Sequence, residues 1–135
     1  MNTELLSYFG AIVSVVWGIA HLVPTKNVVS AFGDITEDNK NIIAMEWIIE
    51  GVALIFVGLL VLLVTWIDSS SPVSIAVYGL TVSVLIILSV ISIFTGFKVK
   101  FLPFRMCPFV LAFSALLIAL GGIVPLTRLI SDCRC

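Results

Sequence analysis

The chain has 135 residues, of which 61% are hydrophobic and 11% charged, with a formal net charge of −1. That length suits one domain, and the charge content falls far below the ~25% of soluble domains, so a water-soluble globule is excluded. Nucleic acid is excluded as a partner too, because the seven Lys and Arg are scattered and form no basic run.

In chain order, the first apolar run covers 5–23 and is closed by Pro24 and Thr25. Its length matches the ~20 residues a helix needs to cross a bilayer. Glu4 stands where a signal peptide carries basic residues, and the run is longer than a usual signal core. The segment is therefore expected to be retained. A polar connector, 25–41, follows, with Lys26, Asp34, Glu37, Asp38 and Lys40; Ala31, Phe32 and Gly33 within it are expected to form a short interfacial helix or turn.

The second span is predicted over 42–67. Asp68, three serines and Pro72 make a tight turn, since Asp and Ser bond local backbone and Pro suits a first helical turn. The third span, 73–97, carries no charge. A basic connector, 98–105, leads to a fourth span over 106–127, with Pro108 near its start. Runs this long and apolar on all sides favour helices over the ~10-residue alternating strands of a barrel. The predicted fold is all-α, an integral membrane up-down four-helix bundle forming a single domain.

Positive charge sets the expected orientation. Lys26, Lys40, Lys98, Lys100 and Arg105 lie in the first and third connectors, against Arg128 and Arg134 on the other side. The positive-inside rule places connectors 25–41 and 98–105 in the cytoplasm and both termini outside.

Small residues mark the faces expected to pack inward. These are Gly10, Ser14 and Gly18 in the first span and Gly51, Gly58 and Thr65 in the second. The third has Ser89, Ser92 and Gly96, and the fourth Ala112, Ala115, Ala119 and Gly122. Aromatic residues near span ends, Phe104 among them, read as interfacial anchors.

Ionisable residues within spans mark functional sites by default. Three occur: His21, Glu46 and Glu50. His21 continues the small stripe of the first helix, and Glu46 and Glu50 share one face of the second, one turn apart. All three lie toward the same membrane face as Lys98, Lys100, Arg105 and Cys107. Trp17, one turn before His21, and Trp47 complete the candidate ligand or proton site; Lys98, Lys100 and Arg105 form a basic mouth. Glu46 is placed to pair with one of those cations, whereas Glu50, a turn deeper, needs a proton, a partner or a wet pocket.

A metal site of His21, Glu46, Glu50 and Cys107 is conceivable but is not the expected reading. A di-iron bundle needs more carboxylates and a Glu-x-x-His pair, and bis-histidine haem needs a second His. Cys107, Cys133 and Cys135 are an odd set without framework spacing, so no disulfide scaffold is expected.

The stretch from Trp17 to Leu63 resembles the DoxX-like superfamily of small four-helix membrane proteins. The resemblance rests on Trp17-Gly-Ile-Ala-His21, on Phe32-Gly33, and on Glu50-Gly-Val-Ala-Leu-Ile-Phe-Val-Gly58. It covers about a third of the chain and carries over only Glu50 and its neighbours. His21 stands in the region where that group often has a Lys or Arg. The resemblance implies a four-helix fold and a link to quinone-coupled or redox-accessory roles.

The reading that best fits these features is a protein binding a lipid-like or quinone-like molecule at a polar mouth of His21, Glu46 and Glu50. The alternatives are a proton-coupled transporter using Glu50, and a structural or assembly subunit of a membrane complex. The expected partners are membrane lipids and a small hydrophobic ligand, with a homodimer or larger complex as the assembly. No nucleophile–base set or phosphate loop points to an enzyme.

Overall fold

The computed structural model describes residues 3–98 and 102–124. Helix α1 spans Thr3–Leu22, α2 Thr25–Ser30, α3 Glu37–Asp68, α4 Pro72–Gly96 and α5 Leu102–Ile118, and α5 continues into a π-helical turn at Ala119–Ile123. No strand occurs among the described residues. Four of these segments, α1, α3, α4 and α5 with its π turn, are long and apolar enough to cross a membrane.

Local sequence explains the boundaries. Thr36 caps α3 by accepting from the Asn39 amide, and Ser71 caps α4 by accepting from Ser74, with Pro72 at the first helical position. Between them, Asp68 accepts from the Ser70 amide at 2.9 Å and the Ser70 hydroxyl at 2.7 Å, which closes the expected turn. The short helix of the polar connector lies at Thr25–Ser30, just before the expected residues. Ala31-Phe32-Gly33 forms its exit, where Gly33 adopts φ 76°, a conformation Gly reaches without steric cost.

One boundary differs materially. α5 begins at Leu102, so Pro103 and Arg105, expected in a connector, are helical, and Pro108 lies inside the helix. Residues 99–101, and the fourth span's expected end beyond 124, lie outside the described residues.

The long helices close into a four-membered ring: α1 packs on α3 and α5, α4 on α5, and α3 least closely on α4. The ring buries small polar residues beside an apolar core of Leu54, Val61, Tyr78, Leu85, Leu111 and Ile118, and its outer surface is apolar. Ser7, Ser14, His21, Thr65, Ser74, Thr81, Ser89 and Ser114 are buried, while Phe9, Phe56, Trp66, Leu80, Phe94 and Phe113 face outward. Small polar residues between helices and large apolar ones outside are what close packing in lipid selects.

The buried polar groups tie helices together. Ser114 gives its one hydroxyl proton to the Gly10 carbonyl at 2.7 Å, so Ser14 must donate to Ser114, also at 2.7 Å. By the same logic Thr65 donates to the Val61 carbonyl, and Tyr78 donates to Thr65 at 2.9 Å. Ser89 donates to the Pro108 carbonyl at 2.8 Å, joining α4 to α5.

The expected small-residue stripes of α1 and α3 are buried throughout. On α4, Ser89 and Gly96 are buried and Ser92 is half-buried. On α5 the stripe is rotated: Ala112 is exposed, and the buried face is Cys107, Leu111, Ser114, Ala115 and Ile118, continued by Gly122. The Ser114 hydrogen bonds to Gly10 and Ser14 lie on that buried face.

Candidate functional site

The closest helix crossing positions the site. A Cβ placed on Gly18 would sit 2.6 Å from the Gly51 carbonyl oxygen, and one on Gly51 would sit 2.9 Å from the Gly18 oxygen. Only glycines allow the backbones of α1 and α3 so near each other. One turn beyond Gly18 lies His21, and next to Gly51 lies Glu50, so this crossing brings the two side chains together. His21 Nε2 is 3.8 Å from Glu50 Oε1.

His21 is held on every side. Its Nδ1 lies 2.8 Å from the Trp17 carbonyl. A carbonyl only accepts, so Nδ1 carries the proton, and in the neutral ring Nε2 presents a lone pair toward Glu50. The Trp47 indole stacks on the imidazole with centroids 4.5 Å apart and donates its N–H to the His21 carbonyl. Trp17 meets the same ring edge-on at 5.5 Å, and Phe104 packs against Trp47 at 5.0 Å. His21 is thereby buried, while the Glu50 side chain keeps 36% of its surface exposed.

Cys107 completes the cluster from α5. Its Sγ lies 3.9 Å from Glu50 Oε1 and 3.9 Å from the Ser92 hydroxyl. His21, Glu50 and Cys107 all border a cavity of about 500 Å³ between the ends of α3, α4 and α5. Ile42, Ile49, Ala53, Leu88 and Ile91 supply much of its apolar wall, and Glu46, Ser92 and Thr95 add polar groups. The cavity exists because α3 and α4 are tied near their shared turn, where Ser74 and Tyr78 bond α3, and separate toward the other end. Deeper in, Leu54, Leu85 and Leu111 fill the bundle, each no more than 1% exposed.

The structure brings together part of the expected set. His21, Glu50 and Trp47 meet as one cluster, and Glu46 lines the cavity from an exposed position one turn away. Among the described residues Glu46 makes no ion pair, so the expected pairing with Lys98 or Arg105 is not formed. Arg105 instead lies over the Phe97 ring, 5.9 Å from its centroid, and Lys98 is exposed. Neither lines the cavity. Lys100 lies outside the described residues. Trp17 packs behind His21 rather than on the cavity wall.

Two site residues lay outside the expected set. Cys107 is expected at the same membrane face but without a role in the ligand or proton site; Cys107, Leu111, Ser114 and Ile118 recur at helical spacing on one face of α5, and that repeat carries the thiol inward. Phe104, expected as an interfacial anchor, forms the aromatic wall beside Trp47.

No protein-family model, curated protein or solved structure matches this chain.

Proposed function

We propose that the chain is an integral membrane protein that binds an amphiphilic small molecule, quinone-like or lipid-like, in the groove between α3 and α4. The head group sits at His21 and Glu50, and the tail runs along the apolar wall. The observation that carries this reading is the shape and chemistry of the cavity. Its volume of about 500 Å³ falls in the ~300–1,000 Å³ range of small-molecule sites, which combine apolar walls with a few converging polar groups. The broad apolar outer surface, with Phe9, Phe56, Trp66, Leu80, Phe94 and Phe113 exposed, supports membrane insertion. The likeness to DoxX-like proteins, which runs through Trp17–His21 and Glu50, supports a quinone-linked accessory role.

In this reading both termini lie outside, and the groove opens in the cytoplasmic leaflet, following the charge of the connectors. With Nδ1 donating to the Trp17 carbonyl, His21 Nε2 accepts a hydrogen bond from a ligand hydroxyl, such as that of a reduced quinone or a lipid head group, and Glu50 adds a second contact at the exposed edge. The Leu54–Leu85–Leu111 layer beneath the groove favours a holding site over a transport path through the bundle.

Extraction and mass spectrometry of the protein purified from its membrane provide the test. A quinone or lipid should co-purify at fixed stoichiometry and fall in Glu50→Gln and His21→Ala. Unchanged ligand content in both variants would place the site elsewhere.

A further inference from the structure

The donor atoms of His21, Glu50 and Cys107 all lie within 4.8 Å of one another. Tetrahedral zinc bonds nitrogen and oxygen at ~2.0 Å and thiolate sulfur at ~2.3 Å, which separates such donors by roughly 3.3–3.6 Å. The observed 3.8 Å from His21 Nε2 to Glu50 Oε1 and 3.9 Å from Cys107 Sγ to the same oxygen exceed that by a few tenths of an ångström, and the third pair, His21 with Cys107, lies within 4.8 Å. Closing the set around an ion takes a shift of the Cys107 and Glu50 side chains of up to about 1 Å.

The surroundings match those of metal ligands. Ligating histidines donate their second ring N–H to a carbonyl or carboxylate, which fixes the tautomer and aims the lone pair. His21 does this with the Trp17 carbonyl. Trp17 also buries its indole N–H without a hydrogen-bond partner, beside the histidine ring it packs against. The Ser92 hydroxyl approaches the Cys107 sulfur from α4.

The geometry points to a binding site for a divalent transition-metal ion of borderline softness, with zinc as the type, held by His21 Nε2, Glu50 and Cys107. Charge selects the valence. A neutral imidazole, a carboxylate and a thiolate together carry −2, so a divalent ion makes the cluster neutral, the cheapest state for ions inside a bilayer. A monovalent soft ion would leave −1. Magnesium and calcium prefer all-oxygen sets, which imidazole and thiolate exclude. Binding releases the thiol proton, together with any proton held by Glu50, to solvent through the groove.

Three protein ligands leave one tetrahedral position open, as in reactive zinc sites. All three donors border the groove, so that position faces it and takes a water or a head-group oxygen. The metal site stands on the three donors alone; with an ion bound, a head group meets the ion's open position in place of the Nε2 lone pair, and that use rests on the proposed function.

Cobalt(II), a spectroscopic substitute for zinc, provides the test. The full-length chain carrying Cys133→Ser and Cys135→Ser is purified in detergent, stripped with chelator and titrated with cobalt. The expected result is one cobalt per chain with a sulfur-to-cobalt charge-transfer band, displaced by zinc. Cys107→Ser, which preserves shape, should abolish the band. His21→Ala and Glu50→Gln should weaken binding roughly 100-fold or more, and Trp17→Phe about 10-fold with the band retained. Helical content and elution volume confirm that each variant is folded. A band that survives Cys107→Ser, or no stoichiometric cobalt in the parent chain, overturns the proposal. Amphiphile content measured on the same samples separates the two readings: cobalt bound without amphiphile supports the metal site and counts only against the ligand.

Discussion

Trp47 and His21 form a closed pair: the indole stacks on the imidazole at 4.5 Å and returns its N–H to the backbone carbonyl of the same histidine. That carbonyl belongs to the last turn of α1, so one side chain from α3 both clamps the ring and caps the helix that carries it. The orientation of His21 toward Glu50 therefore depends on α3 twice.

Trp47→Phe should separate these roles. Phenylalanine keeps a stacking ring but loses the N–H, so stability should fall by about 1 kcal/mol, the net worth of one hydrogen bond. Trp47→Ala should cost about 3–5 kcal/mol through the lost volume. Thermal unfolding in detergent, followed by helical circular dichroism, measures both. Equal losses in the two variants would show that the hydrogen bond, not the ring, holds the site.

The α1–α3 crossing should be intolerant of a single methyl group. Gly18→Ala and Gly51→Ala each force a Cβ into the facing backbone, with an expected cost of about 1–3 kcal/mol apiece. Because both push the same helices apart, the double variant should lose less than the sum. Both should also reduce bound ligand, since the crossing sets the His21–Glu50 distance. Full stability in Gly51→Ala would mean that the helices pack differently in the membrane.

Ser114→Ala removes the donor to Gly10 and the acceptor for Ser14. Hydrogen bonds between helices in lipid are worth about 0.6 kcal/mol on average and about 1.7 at most, and a loss toward the upper end is expected here. After Ser114→Ala, adding Ser14→Ala should cost little more. Additive losses would show that the two hydroxyls do not bond each other.

The two carboxylates should behave differently. Glu46→Gln alters an exposed residue without an ion pair among the described residues, so stability should stay within about 0.5 kcal/mol of the parent. Glu50→Gln alters a group in contact with His21 and Cys107 and should change ligand or metal retention. Metal and amphiphile retention that responds only to Glu46→Gln would move the site one turn outward.

Orientation follows from single cysteines placed in a chain without its native ones. Ser70→Cys, in the α3–α4 turn, should react with an impermeant thiol reagent from outside intact cells. Lys26→Cys should react only after the membrane is opened. The reverse pattern would invert the topology.

Much of the fold was legible in sequence because spans are written at the scale of composition: 20 apolar residues in a row leave few options. The meeting of His21 with Glu50 was legible in part. Helical spacing places each on a face with glycines, and those glycines mark where backbones touch. Cys107 and Phe104 were harder to place. Pro103, Arg105 and Pro108 look like connector and helix start, and hide the extra turn that begins α5 at Leu102. The face that packs inward carries Cys107 and Ser114 and leaves Ala112 outside. Which face turns inward depends on partners far away in the chain, and local pattern does not encode it.

The separation of α3 from α4 has a consequence for how occupancy would be measured. The exposed side chains of Ile42, Ile49 and Ile91 stand at the rim of the groove, on faces that meet lipid when the bundle is inserted. A guest of the proposed kind would then arrive sideways, by two-dimensional diffusion, already dissolved in the same medium as its host. Its mole fraction among neighbouring lipids, rather than its aqueous solubility, sets how often the groove is filled. Diluting the membrane with inert lipid should empty it, and diluting the buffer should leave it full.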